Sequence, residues 1–66
     1  MRHNLVKSRK KAKLGQADTA ELLDISHDAY SRIETGRRKN VDVELALKIS
    51  DLFGESVEYF FANRSV

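Results

Sequence analysis

No proline interrupts this chain of 66 residues, and its three glycines are widely spaced. Because proline breaks helices and glycine tends to end them, such a chain can form several helices separated by short turns. The alternation of apolar and polar residues that strands require lasts only a few residues at a time. The pattern therefore predicts an all-α fold, and the length suffices for one compact domain over residues 1–66.

Residues that suit helix ends predict five helices. They are Ser26, Asp42 and Ser56 as N-caps, Gly15 as a weaker N-cap, and Gly36 and Gly54 as left-handed ends. The predicted helices cover roughly residues 5–12, 16–23, 27–34, 43–53 and 57–62. Only Asp24 and Ile25 stand between the second helix and the capping serine of the third, which indicates a tight turn.

Composition argues against several classes of function. The chain has no cysteine, so disulfides and thiolate metal sites are excluded and a cytoplasmic location is expected. The longest apolar runs fall far short of the roughly 20 residues of a membrane span. The histidines lack carboxylates at a ligand-like spacing, and adjacent Ser26, His27 and Asp28 diverge on a helix. No membrane partner, metal, cofactor, small-molecule ligand or catalytic site is therefore expected, and the chain is not predicted to be an enzyme.

Positive charge is concentrated in two clusters, although the formal net charge is only +2. The first lies within the first thirteen residues and comprises Arg2, Lys7, Arg9, Lys10, Lys11 and Lys13. The second follows Gly36 and comprises Arg37, Arg38 and Lys39. Such clusters suit a polyanion, most commonly nucleic-acid phosphate. For the N-terminal lysines a solvated surface is the preferred interpretation, whereas cations at a junction between helix and loop favour phosphate.

The third predicted helix has two chemically different faces. At about 100° per residue, His27, Asp28, Ser31 and Arg32 form a polar front, and the apolar residues lie opposite. Arginine can donate to guanine O6 and N7, and aspartate can accept from cytosine N4. Asp28 and Arg32 also stand four residues apart, so they can pair with each other. The front therefore suits base edges in a DNA groove, with ordinary solvent exposure as the alternative.

Residues 4–61 resemble the phage repressor and Cro family of helix-turn-helix proteins, also called the XRE family. The resemblance rests on several features together: Gln16 at the start of the second helix, Ala20, Leu23, Ile25-Ser26 before the third helix, the segments SRIETG and ELALKI, and the final FF. It implies a compact five-helix, lambda-repressor-like fold whose helices 2 and 3 form the helix-turn-helix. It also implies a sequence-specific transcriptional regulator, a repressor, that binds a palindromic double-stranded DNA operator as a homodimer through the major groove.

The resemblance assigns roles to individual residues. It implies base reading by His27, Asp28 and Arg32. It implies contacts with the DNA backbone by Gln16, Ser26, Ser31, Arg37, Arg38, Lys39 and Asn40. It also implies a partly buried structural ion pair between Arg9 and Glu34. Thr19 and Gly15 stand where the family usually has leucine and serine, which predicts a less firmly held second helix.

A second subunit is expected because the fourth and fifth helices carry more apolar surface than one small core needs. The predicted dimer interface contains Leu52, Tyr59 and Phe60, although Phe60 suits a core position equally well. Two other functions fit the same sequence. One is an antitoxin or a restriction-modification controller of the same fold. The other is a protein-binding adaptor that no longer binds DNA.

Overall fold

A computed structural model describes residues 1–62, and within them the chain forms five α-helices. They are α1 His3–Lys11, α2 Gln16–Leu22, α3 His27–Thr35, α4 Val43–Phe53 and α5 Val57–Phe61. Because no strand occurs among these residues, the predicted all-α fold is confirmed. The last four residues of the predicted domain, 63–66, lie outside the described part.

The predicted N-caps of α3, α4 and α5 each accept a hydrogen bond from a backbone N–H of the first turn. The pairs are Ser26 with Ala29 at 3.0 Å, Asp42 with Leu45 at 3.2 Å, and Ser56 with Tyr59 at 3.1 Å. The C-caps of α3 and α4 are Gly36 and Gly54, with φ of 85° and 70°. Only glycine adopts this conformation without steric cost, so these two residues set the helix ends.

The first helix departs most from its predicted bounds. It begins at His3 rather than at Leu5, because the Arg2 carbonyl accepts from the N–H groups of Leu5 and Val6 at 3.1 and 3.2 Å. Arg2 makes no side-chain capping bond, so no capping residue marks this helix start in the sequence. At the other end Lys13 adopts a left-handed conformation, with φ of 61°, and reverses the chain towards α2.

One apolar core joins all five helices. It contains Leu5, Ala20, Leu23, Tyr30, Ile33, Leu45, Ile49 and Phe60. α2 packs on α3, α4 packs on α5, and α1 lies against both α3 and α5. The Phe60 ring meets those of Phe53 and Tyr59 edge to face, at centroid distances of 6.0 and 5.1 Å. α3 is therefore fixed on its buried side by other helices, and its opposite side is left for solvent or a ligand.

The start of α2 is held by short polar contacts. The Thr19 side chain is completely buried, and its hydroxyl donates to the Gly15 carbonyl at 2.9 Å. The Asp18 carboxylate accepts from the Gly15 N–H at 3.2 Å. Thr19 thus satisfies its hydroxyl inside its own helix, and a polar residue at this buried position leaves no unpaired group.

The helices described here are short. None of those within residues 1–62 is long and apolar enough to cross a bilayer. The same residues contain no group of three or more His, Asp or Glu side chains placed to hold a metal ion.

Candidate nucleic-acid interface

The connection between α2 and α3 is a tight turn. Asp24 adopts a left-handed conformation with φ of 59°, and the Ile25 N–H donates to the Ala20 carbonyl at 3.0 Å. Ile25 packs against the core, and Ser26 then caps α3. Aspartate tolerates the left-handed region better than most residues, so this turn forms without glycine. The turn fixes α3 against α2 through backbone geometry.

The predicted front of α3 is exposed. His27, Asp28 and Arg32 all face solvent, whereas Tyr30 and Ile33 on the same helix are fully buried. Ser26 is also exposed and Ser31 is half-buried. The structure therefore brings the three predicted base-reading residues together on one accessible surface, which we call the α3 front.

Asp28 and Arg32 are paired across one turn of α3. The Arg32 guanidinium lies 3.0 Å from the Asp28 carboxylate, and the two side chains are 60% and 75% exposed. Exposed pairs at this spacing contribute only about 0.3–0.5 kcal/mol. A ligand with its own donors and acceptors can therefore separate them at little cost.

A chain of hydrogen bonds runs from the protein interior to the α3 front. The Gln16 amide nitrogen donates to a Glu34 carboxylate oxygen at 3.0 Å, and the Gln16 amide oxygen lies 3.2 Å from His27 Nε2. Because a carboxylate can only accept, the amide nitrogen faces Glu34 and the amide oxygen faces His27. His27 Nε2 therefore donates at this contact. Gln16, for which the resemblance implies a contact with the DNA backbone, links α2 to α3 in the free protein.

Arg9 and Glu34 form a bidentate ion pair. Arg9 Nε and a terminal nitrogen donate to the two Glu34 carboxylate oxygens at 2.8 and 3.1 Å, and the Arg9 side chain also donates to the Leu14 carbonyl at 2.9 Å. The Arg9 and Glu34 side chains are only 11% and 4% exposed. The predicted structural pair is thus present, and it ties α1 to α3 beneath the α3 front.

The local environment shifts the pKa values of this cluster. The hydrogen bond to Glu34 raises the pKa of Arg9, with burial opposing. For Glu34, burial acts to raise the pKa, but hydrogen bonds from Arg9 and Gln16 outweigh it and hold the pKa below the ordinary value. Burial, followed by the nearby Glu34 carboxylate, raises the pKa of Tyr30. The pair therefore stays ionised, and Tyr30 stays neutral, across the ordinary range of pH.

Residues 37–40 form the cationic segment between α3 and α4. Gly36 turns the chain, and the Arg38 N–H donates back to the Arg32 carbonyl at 3.0 Å. The half-buried Arg38 side chain donates to the Asn40 carbonyl at 3.2 Å and lies 3.4 Å from the Asp42 carboxylate. Arg37, Lys39 and Asn40 are exposed. The segment is therefore folded against the end of α3.

Arg2 contacts this segment, although its place among the N-terminal cations did not suggest that role. Its guanidinium donates to the carbonyls of Ile33, Arg38 and Lys39. These partners lie 31, 36 and 37 residues further along the chain, so no local pattern could have revealed them. In the sequence, Arg2 differs from the other N-terminal cations only in being separated from them by apolar or neutral residues.

The predicted dimer residues differ in exposure. Leu52 and Tyr59 are half-buried and pack at the edge of the core. Phe60 is only 5% exposed and lies within the core, so it has little side chain left for a second subunit. This burial supports the core alternative for Phe60 over the interface one. Outside these three residues, Val43 and Leu47 on α4 are exposed apolar side chains.

A family model described as helix-turn-helix matches residues 5–60. The chain belongs to this family. It is thus an XRE-type, DNA-binding helix-turn-helix regulator, and the five helices within residues 1–62 agree with the lambda-repressor-like fold. The family comprises DNA-binding domains rather than enzymes. Comparisons with curated proteins and with solved structures gave no match. In this helix-turn-helix protein, α2 and α3 are the two helices of the motif.

Proposed function

We propose that this helix-turn-helix protein binds a specific, palindromic DNA operator as a homodimer and represses transcription. The observation that carries the proposal is the α3 front: His27, Asp28 and Arg32 are exposed together on a helix whose other face is buried. An exposed polar helix face of this size fits the major groove, where each base pair presents a distinct set of donors and acceptors.

The proposed base contacts follow from the chemistry of the three side chains. Arg32 can donate two parallel hydrogen bonds to guanine, and Asp28 can accept from cytosine N4. Asp28 also repels phosphates, so its presence in the groove is favourable only where it accepts from a base or orients Arg32. His27 is held by Gln16 at Nε2, which leaves the remaining ring edge for the groove.

The proposed backbone contacts flank the α3 front. They are Gln16, Ser26, Ser31, Arg37, Arg38, Lys39 and Asn40. The charge distribution along the chain supports phosphate binding by the residues before position 41. Residues 41–62 contain a single cation, Lys48, against five carboxylates. Phosphates are therefore attracted to the earlier part of the chain, where the helix-turn-helix lies.

Two subunits would bind two half-sites related by two-fold symmetry, and a bound dimer at a promoter would exclude polymerase. Selection of binding sites from random duplexes tests the DNA half of the proposal. We expect two inverted half-sites with centres about 34 Å apart, which is one helical turn. A single asymmetric site would contradict the dimer, and failure to bind any duplex at low salt would favour the protein-binding adaptor. A promoter-reporter assay with the selected site then tests repression.

A further inference from the structure

The backbone N–H and the side chain of Arg2 both donate hydrogen bonds to backbone carbonyls of the protein. Its N–H donates to the Glu34 carbonyl at 2.8 Å. Its guanidinium donates to the carbonyls of Ile33 at 2.5 Å, Arg38 at 2.9 Å and Lys39 at 3.0 Å. Two of these carbonyls belong to the last turns of α3 and two to the cationic segment. Arg2 therefore joins the end of the α3 helix to residues 37–40.

The guanidinium also contacts an aromatic ring. It lies over the Phe61 ring, at 5.2 Å from the ring centroid, and Arg2 is half-buried. Burial lowers its pKa from the ordinary arginine value, although a guanidinium remains charged at any physiological pH. A side chain whose donors face three carbonyls and whose charged end lies over an aromatic ring is poorly placed to contact a phosphate. Its charge acts inside the protein.

We propose that Arg2 is a positioning residue for the DNA-backbone site. It holds the backbone of residues 37–40 in the conformation that presents their side chains to phosphates. The part of this inference that concerns DNA rests on the proposed function, whereas the ordering of the segment does not. Without Arg2 the segment must become ordered when DNA binds, and that loss of backbone entropy weakens binding. Arg2 thus raises affinity for any DNA sequence without contacting DNA.

Geometry distinguishes this role from a general effect of charge. The planar guanidinium has five N–H donors in a rigid fork, which can reach several carbonyls at once. A lysine at position 2 keeps the charge but lacks the fork and the guanidinium that lies over the Phe61 ring. Arg2→Lys is therefore the decisive variant, Arg2→Ala removes charge and fork together, and Lys7→Ala is a matched control. Lys7 is an exposed cation on α1, the helix that directly follows Arg2.

Amide hydrogen exchange of the free protein tests the ordering. The reporter is the Arg38 N–H, which donates to the Arg32 carbonyl, and the reference is the Leu23 N–H, which donates to the Thr19 carbonyl. Arg2→Lys and Arg2→Ala should accelerate exchange of the reporter about tenfold relative to the reference. Lys7→Ala should change neither amide. Equal acceleration of both amides, or of neither, would overturn the proposal, because Arg2 would then act on the whole fold or on nothing.

Titration with operator and with random duplex tests the effect on DNA. Arg2→Lys and Arg2→Ala should each weaken binding to both duplexes by the same factor, about tenfold, whereas Lys7→Ala should stay close to wild type. Wild-type affinity in Arg2→Lys would show that only the charge matters and would overturn the positioning role. If wild-type protein binds no duplex, the proposed function and the DNA part of this inference both fail. Exchange that depends on Arg2 would still support the ordering of the segment.

Discussion

The Glu34 carboxylate connects the interior of the protein to the α3 front. It accepts hydrogen bonds from Arg9 on α1 and from Gln16 on α2, and Gln16 in turn contacts His27. Three helices therefore meet at one buried charge, because the Glu34 side chain is only 4% exposed. Removal of a partner leaves that charge unpaired in a poorly solvated site. The resulting loss of stability exceeds the net stabilisation that the intact pair provides.

Arg9→Ala should lower the free energy of unfolding by roughly 3–5 kcal/mol, because it leaves Glu34 buried and without its cationic partner. The Leu14 carbonyl would lose its donor in the same variant. Lys10→Ala is the control, since Lys10 is an exposed cation on the same helix. Urea unfolding followed by circular dichroism measures both variants. Equal stability of the two would mean that the ion pair contributes nothing beyond an exposed charge.

Acid should lower the free energy of unfolding partly by protonating Glu34. The pKa of Glu34 is held below its ordinary value in the folded state, so its contribution is complete above the unfolded-state pKa. That contribution is lost as the pH falls through the folded-state pKa. Glu34→Gln cannot titrate, so its stability should decline less steeply over this acidic range, by up to about 1.4 kcal/mol per pH unit. Parallel curves for wild type and Glu34→Gln, measured by urea unfolding, would contradict the assignment.

The α3 front and the cationic segment should respond differently to mutation. Arg32→Ala should cost about 1–3 kcal/mol on the operator and relax the preference at one base pair, with a smaller effect on unrelated DNA. Arg38→Ala should weaken operator and random duplex alike and reduce the slope of log affinity against log salt by about one. The reason is that Arg32 is proposed to read a base, whereas Arg38 is proposed to neutralise a phosphate.

Both variants can be titrated against operator and scrambled duplex at several salt concentrations. Arg38 also lies 3.4 Å from Asp42, so circular dichroism must first show that α4 still forms in Arg38→Ala. If Arg38→Ala altered base preference while Arg32→Ala lowered every affinity equally, the two roles would have to be exchanged.

At the scale of helices, the elements whose ends carry a chemical signal were predictable. Ser26 and Asp42 cap α3 and α4, and Gly36 and Gly54 end them, because these residue types satisfy the free backbone groups at helix ends. The start of α1 carried no such signal. Arg2 caps α1 only through its backbone carbonyl, which any residue could supply. Its side chain instead binds carbonyls more than thirty positions away, and single-sequence patterns contain no information on such distant pairs.

The left-handed residue after α1 allows a prediction of its own. Lys13 has φ of 61°, a conformation whose steric cost is roughly 1 kcal/mol for a residue with a side chain and absent for glycine. Lys13→Gly should therefore stabilise the fold by up to about 1 kcal/mol, whereas Lys13→Val should destabilise it. Lys10→Gly, inside α1, should have the opposite sign and cost about 1 kcal/mol. Thermal unfolding of the three variants measures this, and stabilisation by Lys13→Val would contradict the backbone argument.

For the whole molecule, the sequence indicated the fold and the position of the exposed front but not the network behind it. The α3 front was predictable because helical spacing alone places its residues on one face. The links from Glu34 to Gln16 and from Gln16 to His27 depend on how α2 and α3 pack. Phe60 was ambiguous for the same reason, since an aromatic residue on a short helix suits a core and an interface equally.

A dimer should depend on the half-buried edge formed by α4 and α5. Two subunits that bind neighbouring half-sites gain affinity from each other, so a change that separates them weakens operator binding even when every DNA contact remains. Leu52→Glu and Tyr59→Glu should therefore shift sedimentation to the monomer and weaken operator binding, because a carboxylate cannot be buried unpaired in an interface.

Circular dichroism must show helix content like that of wild type, since both residues also touch the core. Leu47→Glu, on the exposed side of α4, is the comparison. If Leu47→Glu alone gave monomers, the interface would lie on that side, and if all three variants sedimented as wild type does, neither surface would join two subunits.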